Sequence, residues 1–192
     1  AMAQVELDLE PGAAGGLLER GAELVWLSGM VKAIEAGGQG HVVLLGGEAG
    51  VGKTALVDAL RTAHPELTTL RGECEPLFAP PPLAPLLGLI DAAAAPYDVA
   101  AALLARLAAR PALFVLEDLH WADEATLDVF VLLARRIETV PCLLVATYRD
   151  EAPTGRLRIV LGELATARGV DRMRLAGLSR DAVEELSEPY GV

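Results

Sequence analysis

Aromatic side chains are scarce in this chain. Three Phe, two Trp and three Tyr make up 4% of its 192 residues, against 53% hydrophobic residues in all. A core built from this composition is aliphatic, and it is large enough for one well-buried domain but short for two. Cysteine is as sparse. Cys74 and Cys142 have no metal-like spacing and read as reduced, buried thiols on or beside strands. No apolar run of about 18 uncharged residues is present, so no transmembrane helix is expected. No basic segment leads into an apolar one at the start, so no signal peptide and a cytoplasmic setting are expected. Positive charge is also short: 16 Lys and Arg stand against 27 Asp and Glu, a net charge of -11. Phosphate backbones recruit Lys and Arg, so direct nucleic-acid binding by this domain is not expected.

What is present is an alternation of short apolar runs with longer amphipathic stretches, the pattern of a parallel α/β sheet. Strands are predicted over 41–45, 67–72, 112–118, 142–148 and 172–176. Strands covered on both faces read as continuous apolar runs, and "LFVL" and "LLVAT" fit that description. The run over 67–72 suits a place nearer an edge. Helices are predicted over 22–38, 53–63, 124–138 and 155–169, with a last one opening near 178. The first puts Leu24, Leu27, Val31 and Ile34 on one face and ends at Gly37. The third is capped by Asp123 and turns Leu127, Phe130, Val131 and Ala134 inward. Ser179 is the expected N-cap of the last. The proline-rich "CEPLFAPPPLAPLLGL" is expected to be an ordered surface connector without regular structure.

The chemistry gathers in three loops. "GEAGVGKT", residues 47–54, follows the first strand and opens the second helix. Gly50 and Gly52 give access to backbone angles closed to other residues, so successive N–H groups can converge on one cavity. A helix N-terminus there favours phosphate. Lys53 is placed to reach the β- and γ-phosphates, and the Thr54 hydroxyl to bind Mg²⁺. The nucleotide-binding candidates are Gly47, Glu48, Ala49, Gly50, Val51, Gly52, Lys53, Thr54 and Ala55.

The second loop closes "LFVLEDLHWAD". A strand that ends in acids sets carboxylates at the carboxyl edge of a parallel sheet, where ligands bind. Of Glu117 and Asp118, one would serve Mg²⁺ and the other would orient or deprotonate an attacking water. Successive strand side chains diverge, so the two cannot share one job equally. Which takes which role stays open. The third loop follows "LLVATYRDE", where Arg149 emerges at the same edge. It either meets the γ-phosphate or pairs with Asp150 or Glu151. His120 and Trp121 offer a sensor or a partner contact, but the simpler reading has Trp121 packing under its loop. His41 and His64 read as solvent-facing or strand-edge residues.

Together "LLERGAEL", "GGEAGVGKTALV", "RGECEPL", "VLEDLHWADEATLD" and "LLVATYRDE" resemble the ATPase domain of large LuxR-type transcriptional regulators. These are signal-transducing STAND NTPases, related to AAA-type ATPases, with the maltose-regulon activator a more distant member. The resemblance runs from about Leu17 to Leu186. It implies a P-loop three-layer sandwich: a five-stranded parallel sheet in the order 5-1-4-3-2 with helices on both faces. It implies that 47–54 is the Walker A element, that Glu117 and Asp118 are the paired Walker B acids, and that Arg149 is the sensor Arg of a T-x-R motif. It also places Arg20, with Glu23, near the adenine end of the nucleotide. The commoner form there is G-R-E-x-E; here Glu19 replaces the Gly and Gly21 the first Glu. The domain division it implies is a tail over 1–16, whose "AMAQ" reads as an expression remnant, an ATPase core over 17–178, and the start of a truncated helical lid over 179–192.

Two functions are compatible with these residues. One is a regulatory switch that binds ATP or ADP with Mg²⁺, hydrolyses slowly and controls self-association of a full-length regulator. The other is an autonomous ATPase or small-molecule kinase. A kinase needs a substrate pocket and commonly a mobile, Arg-rich lid, and only the prolyl segment is a candidate for one. A helicase or replication-initiator role is disfavoured by the acidic charge.

Overall fold

The apolar runs of the sequence become the strands of one sheet. A computed structural model describes residues 19–90, 95–151, 155–179 and 182. The strands are β1 (His41–Gly47), β2 (Thr68–Glu73), β3 (Ala112–Glu117), β4 (Cys142–Tyr148) and β5 (Val170–Leu175). All pair in parallel, in the order β2-β3-β4-β1-β5. This is the expected 5-1-4-3-2 order read from the other side. β3 and β4 are buried along their whole length, as strands covered on both faces must be. β2 and β5 lie at the edges and are partly open, β2 alternating buried and exposed over Leu70–Glu73 and β5 buried only at Leu175.

Strand pleating sorts the side chains into two cores. Val43, Leu45, Leu113, Val115, Leu143 and Val145 face one way. They meet α1 (Gly21–Glu35) and α2 (Lys53–Ala63) through Leu24, Leu27, Val31, Ile34, Leu56 and Leu60. Val42, Leu44, Phe114, Leu116, Leu144 and Ala146 face the other way. They meet α3 (Ala84–Leu87), α4 (Pro96–Leu107), α5 (Glu124–Ala134) and α6 (Gly155–Leu164). The result is the three-layer sandwich. The predicted inner face of α1 is the observed one, and Gly37 follows that helix at φ 87°, with its N–H donating to Ile34 O. The Asp123 cap is present: Oδ1 accepts from Thr126 N at 3.0 Å.

Four expectations need correction. The prolyl segment is not wholly irregular, because α3 forms within it. Pro85 falls in the first turn of that helix, where a missing N–H costs nothing. Leu83, at φ 64°, turns the chain into α3 while its N–H donates to Asp123 Oδ2 at 3.2 Å. α4 was not foreseen; its Ala-rich start carries no polar cap and the helix opens on Pro96. α5 ends at Ala134, four residues early, and a short 3₁₀ turn over Ile137–Thr139 leads into β4. His64 is buried rather than solvent-facing. It ends α2, its N–H donates to Arg61 O, and its Nδ1 lies 3.3 Å from Glu66. His41, partly exposed at the first residue of the interior strand β1, pairs with Asp171 at 2.6 Å.

Among the described residues no helix is long and apolar enough to cross a membrane. The expected tail over 1–16, and all of 179–192 except Ser179 and Ala182, lie outside the described residues. Ser179 Oγ accepts from Ala182 N at 3.2 Å, the bond its expected capping role requires.

Two outcomes follow from this packing. Phe130 is fully buried in the larger core, so Phe130→Ala should cost about 3–5 kcal/mol in urea unfolding. Burial pushes the Cys74 and Cys142 thiols up to about 12. In native protein near neutral pH neither should react with a disulfide reagent faster than the chain unfolds.

Candidate functional site

The glycine loop leaves β1 at the carboxyl edge of the sheet and ends at the first residue of α2. Gly50 sits at φ 74° and Gly52 at φ 98°, conformations that side-chain-bearing residues rarely adopt. Gly47 is held for a second reason. A Cβ there would lie 2.8 Å from Val51 Cγ1 and 3.1 Å from Leu175 O. The loop bends back over Lys53, whose Nζ donates to Gly47 O at 2.8 Å and Glu48 O at 2.7 Å. Burial lowers the Lys53 pKa, and the Asp118 charge partly restores it.

A cavity of about 310 Å³ opens in front of this loop. Ala49, Gly50, Gly52, Lys53, Thr54 and Ala55 form one wall, and Asp118 and Arg149 complete it. The last two come from β3 and β4, so three neighbouring strand ends converge on one basin. Gly47, Glu48 and Val51 belong to the loop but do not line the cavity. Arg149 is exposed toward the basin and does not pair with Asp150, which binds Arg174 Nε at 2.5 Å instead.

The paired acids separate as strand geometry requires. Glu117 shares the parity of Leu113 and Val115, so it points to the α2 face. It is 4% exposed, and its Oε2 accepts from Arg71 Nη2 at 2.8 Å, while Arg71 Nη1 also reaches Asp58 on α2 at 3.5 Å. This hydrogen bond, donated by Arg71 to the Glu117 carboxylate, raises the Arg71 pKa. The other Glu117 oxygen, Oε1, is buried without a partner among the described residues. Asp118 has left the strand. It takes a left-handed conformation at φ 55°, ψ 45°, and its N–H donates to Thr147 Oγ1 at 2.9 Å. That bond fixes a turn which brings the Asp118 carboxylate to the basin.

Arg20 stands apart from the basin. It is 5% exposed, and its Nη2 donates to Val51 O at 3.0 Å and Ala176 O at 2.6 Å, with Glu23 3.7 Å from Nη1. Its contacts tie the loop to the end of β5. Trp121 does not pack under its loop; it is 41% exposed, and the half-buried neighbour is His120. Burial lowers the His120 pKa against the opposing pull of Asp118.

The sequence reading missed Arg71 and Thr147. Both lie inside phrases that drew attention, "RGECEPL" and "LLVATYRDE". A buried polar residue at the end of an apolar strand was the available signal for Thr147. For Arg71 it was a cation on the strand paired with the acidic one.

Oxygen donors of Thr54 and Asp118 on one basin, with an unpartnered Glu117 oxygen behind, suit a hard cation such as Mg²⁺. The donor set beside a helix N-terminus suits a polyphosphate. Thr147→Val tests the turn itself. It orphans the Asp118 N–H and should cost about 1–3 kcal/mol in denaturant unfolding with little change in side-chain volume.

No curated protein matches this chain. Solved structures share its fold at low identity. A complex of HORMA, CdnC and Trip13 from E. coli MS115-1 gives a TM-score of 0.60 at 12% identity, covering 97% of this chain and 74% of that one. The Drosophila ORC bound to DNA gives 0.53 at 12%, covering 85% and 96%. C. elegans PCH-2 gives 0.52 at 13%, covering 88% and 48%. The family described as "AAA ATPase domain" matches residues 16–145, more than half of the 192, and the chain therefore belongs to the AAA ATPase domain family.

Proposed function

We propose that this domain is the ATP-binding, slowly hydrolysing switch of a signal-transducing transcriptional regulator of the LuxR-type STAND class. The observation that carries the reading is the basin in which Lys53, Thr54, Asp118 and Arg149 meet. Lys53 and the loop N–H groups bind the β- and γ-phosphates. Arg149 meets the γ-phosphate. Asp118 orients the attacking water. Thr54 would hold Mg²⁺, with the unpartnered Glu117 oxygen behind it on the metal's side of the pair, and when bound the ion neutralises charge on the β- and γ-phosphate oxygens.

The switching character follows from Lys53. Its ammonium satisfies two loop carbonyls, and a polyphosphate competes for the same three protons. Ligand binding then exchanges contacts inside the loop, and a differential contact of that kind is what shifts a conformational equilibrium. An open basin admits water and weakens the electrostatic terms that lower the barrier, so turnover by this domain alone is slow. The division into a core over 17–178 and the start of a lid over 179–192 belongs to the same reading, as does nucleotide-controlled self-association of a longer regulator.

Calorimetric titration with ADP and ATP in Mg²⁺, followed by phosphate release on the same sample, tests this. Binding with slow turnover is the expected result. Rapid turnover would favour an autonomous ATPase, and no binding would remove the proposal. Lys53→Ala should weaken nucleotide affinity roughly 100-fold or more, the scale of a truncated, hydrogen-bonded charge pair.

A further inference from the structure

His120 stands out among the buried polar groups that the proposed mechanism does not use. Its side chain is 14% exposed, yet both ring nitrogens are buried and neither has a hydrogen-bond partner among the described residues. A buried polar group without a partner is normally selected out, because its desolvation is not offset. Its neighbour Trp121 stands on the solvent side, ring centroids 5.1 Å apart and tilted by 45°. The charges that act on the imidazole are Asp118, 3.8 Å from Nδ1, and Arg149 and Lys53, all of which line the phosphate basin.

The 3₁₀ turn Leu119–Trp121 explains this placement. Asp118 is the left-handed residue that starts the turn, and Trp121 N donates back to Asp118 O at 2.8 Å. Two residues beyond Asp118, His120 Nδ1 comes to 3.8 Å from Asp118 Oδ1. That is too long for a hydrogen bond and short enough to become one with a small rotation of either side chain. Hydrogen bonds of a catalytic site are commonly long before the ligand arrives and tighten in the complex.

We infer that His120 is a positioning residue for hydrolysis: with nucleotide bound, its Nδ1–H donates to Asp118 and aims that carboxylate at the attacking water. This rests on the nucleotide-binding reading given above. In the step concerned, the water oxygen bonds to the γ-phosphorus and the bond to the bridging oxygen breaks. ADP leaves with that electron pair, and Asp118 takes the water's proton. His120 makes no contact with phosphate in this scheme and contributes nothing to binding. Its unpartnered state without nucleotide is a stability cost retained for activity, a pattern common where polar groups are held ready in a site.

The test compares wild type with His120→Leu, His120→Ala and His120→Asn. Each is measured for ADP and ATP affinity, for single-turnover hydrolysis of bound ATP, and for thermal melting. For His120→Leu the expected result is unchanged affinities, hydrolysis slowed roughly tenfold or more, and a raised melting temperature. His120→Ala carries the same rate test should Leu not fit. His120→Asn keeps a donor and should restore part of the rate. Hydrolysis indifferent to all three variants overturns the assignment and leaves the nucleotide site standing. So does bound ATP that stays intact in the wild type. A parallel fall of melting temperature, affinity and rate would make His120 a structural residue instead. Wild-type protein that binds neither nucleotide overturns the underlying reading, and this assignment with it.

Discussion

The carbonyl groups of the glycine loop are held by two buried cations, and the site depends on that restraint. A loop bent so that its N–H groups face a ligand turns its carbonyls inward. Those oxygens need donors that a strand or helix would otherwise provide. Lys53 serves Gly47 and Glu48 from the front, and Arg20 serves Val51 from behind. The left-handed glycines supply the curvature, and the two cations hold it. Hydrogen bonds from a charged donor are stronger than neutral ones, and Lys53 and Arg20 are 8% and 5% exposed.

The acids follow the same logic of pleat and turn. One residue of difference along β3 sends Glu117 behind the sheet edge to Arg71 and frees Asp118 for the basin. A buried carboxylate beside α2 is tolerable because Arg71 stands opposite. Asp118 adopts its left-handed turn because Thr147, one strand over, accepts its N–H. β2, β3 and β4 are thereby linked at their carboxyl ends by polar contacts, while their middles are joined only by apolar packing and the ladder. Asp123 extends this to the prolyl segment by capping α5 and accepting from Leu83 N at the same time.

Much of this was legible in the residues. Continuous apolar runs located the three central strands, since a strand buried on both faces leaves no room for polar alternation. β4 was located to the residue by its apolar run over 142–148. The glycine loop was legible because so few backbones need two left-handed residues before a Lys and a Thr. What was not legible had weak local signals. α4 opens on Pro96 behind an Ala N-cap that offers no capping side chain, so its start carries little signal, although Val99, Ala100, Leu103 and Leu107 mark a buried helical face. The burial of His64 arises from how α2 ends against the loop before β2, and the exposure of Trp121 from a left-handed turn at Asp118. The pairing of Glu117 with Arg71 joins residues 46 positions apart and appears only once β2 lies beside β3.

Arg20 has a mechanical consequence. One guanidinium bonds the glycine loop at Val51 and the backbone just past β5 at Ala176, and its own chain position opens α1. Close by, Glu19 accepts from Ser179 N at 2.8 Å. Three segments distant in sequence are therefore cross-linked at one guanidinium. A displacement of the chain beyond β5 has two routes to the phosphate loop, the β5–β1 ladder that ends at Gly47 and Leu175, and the Arg20 side chain that bypasses it.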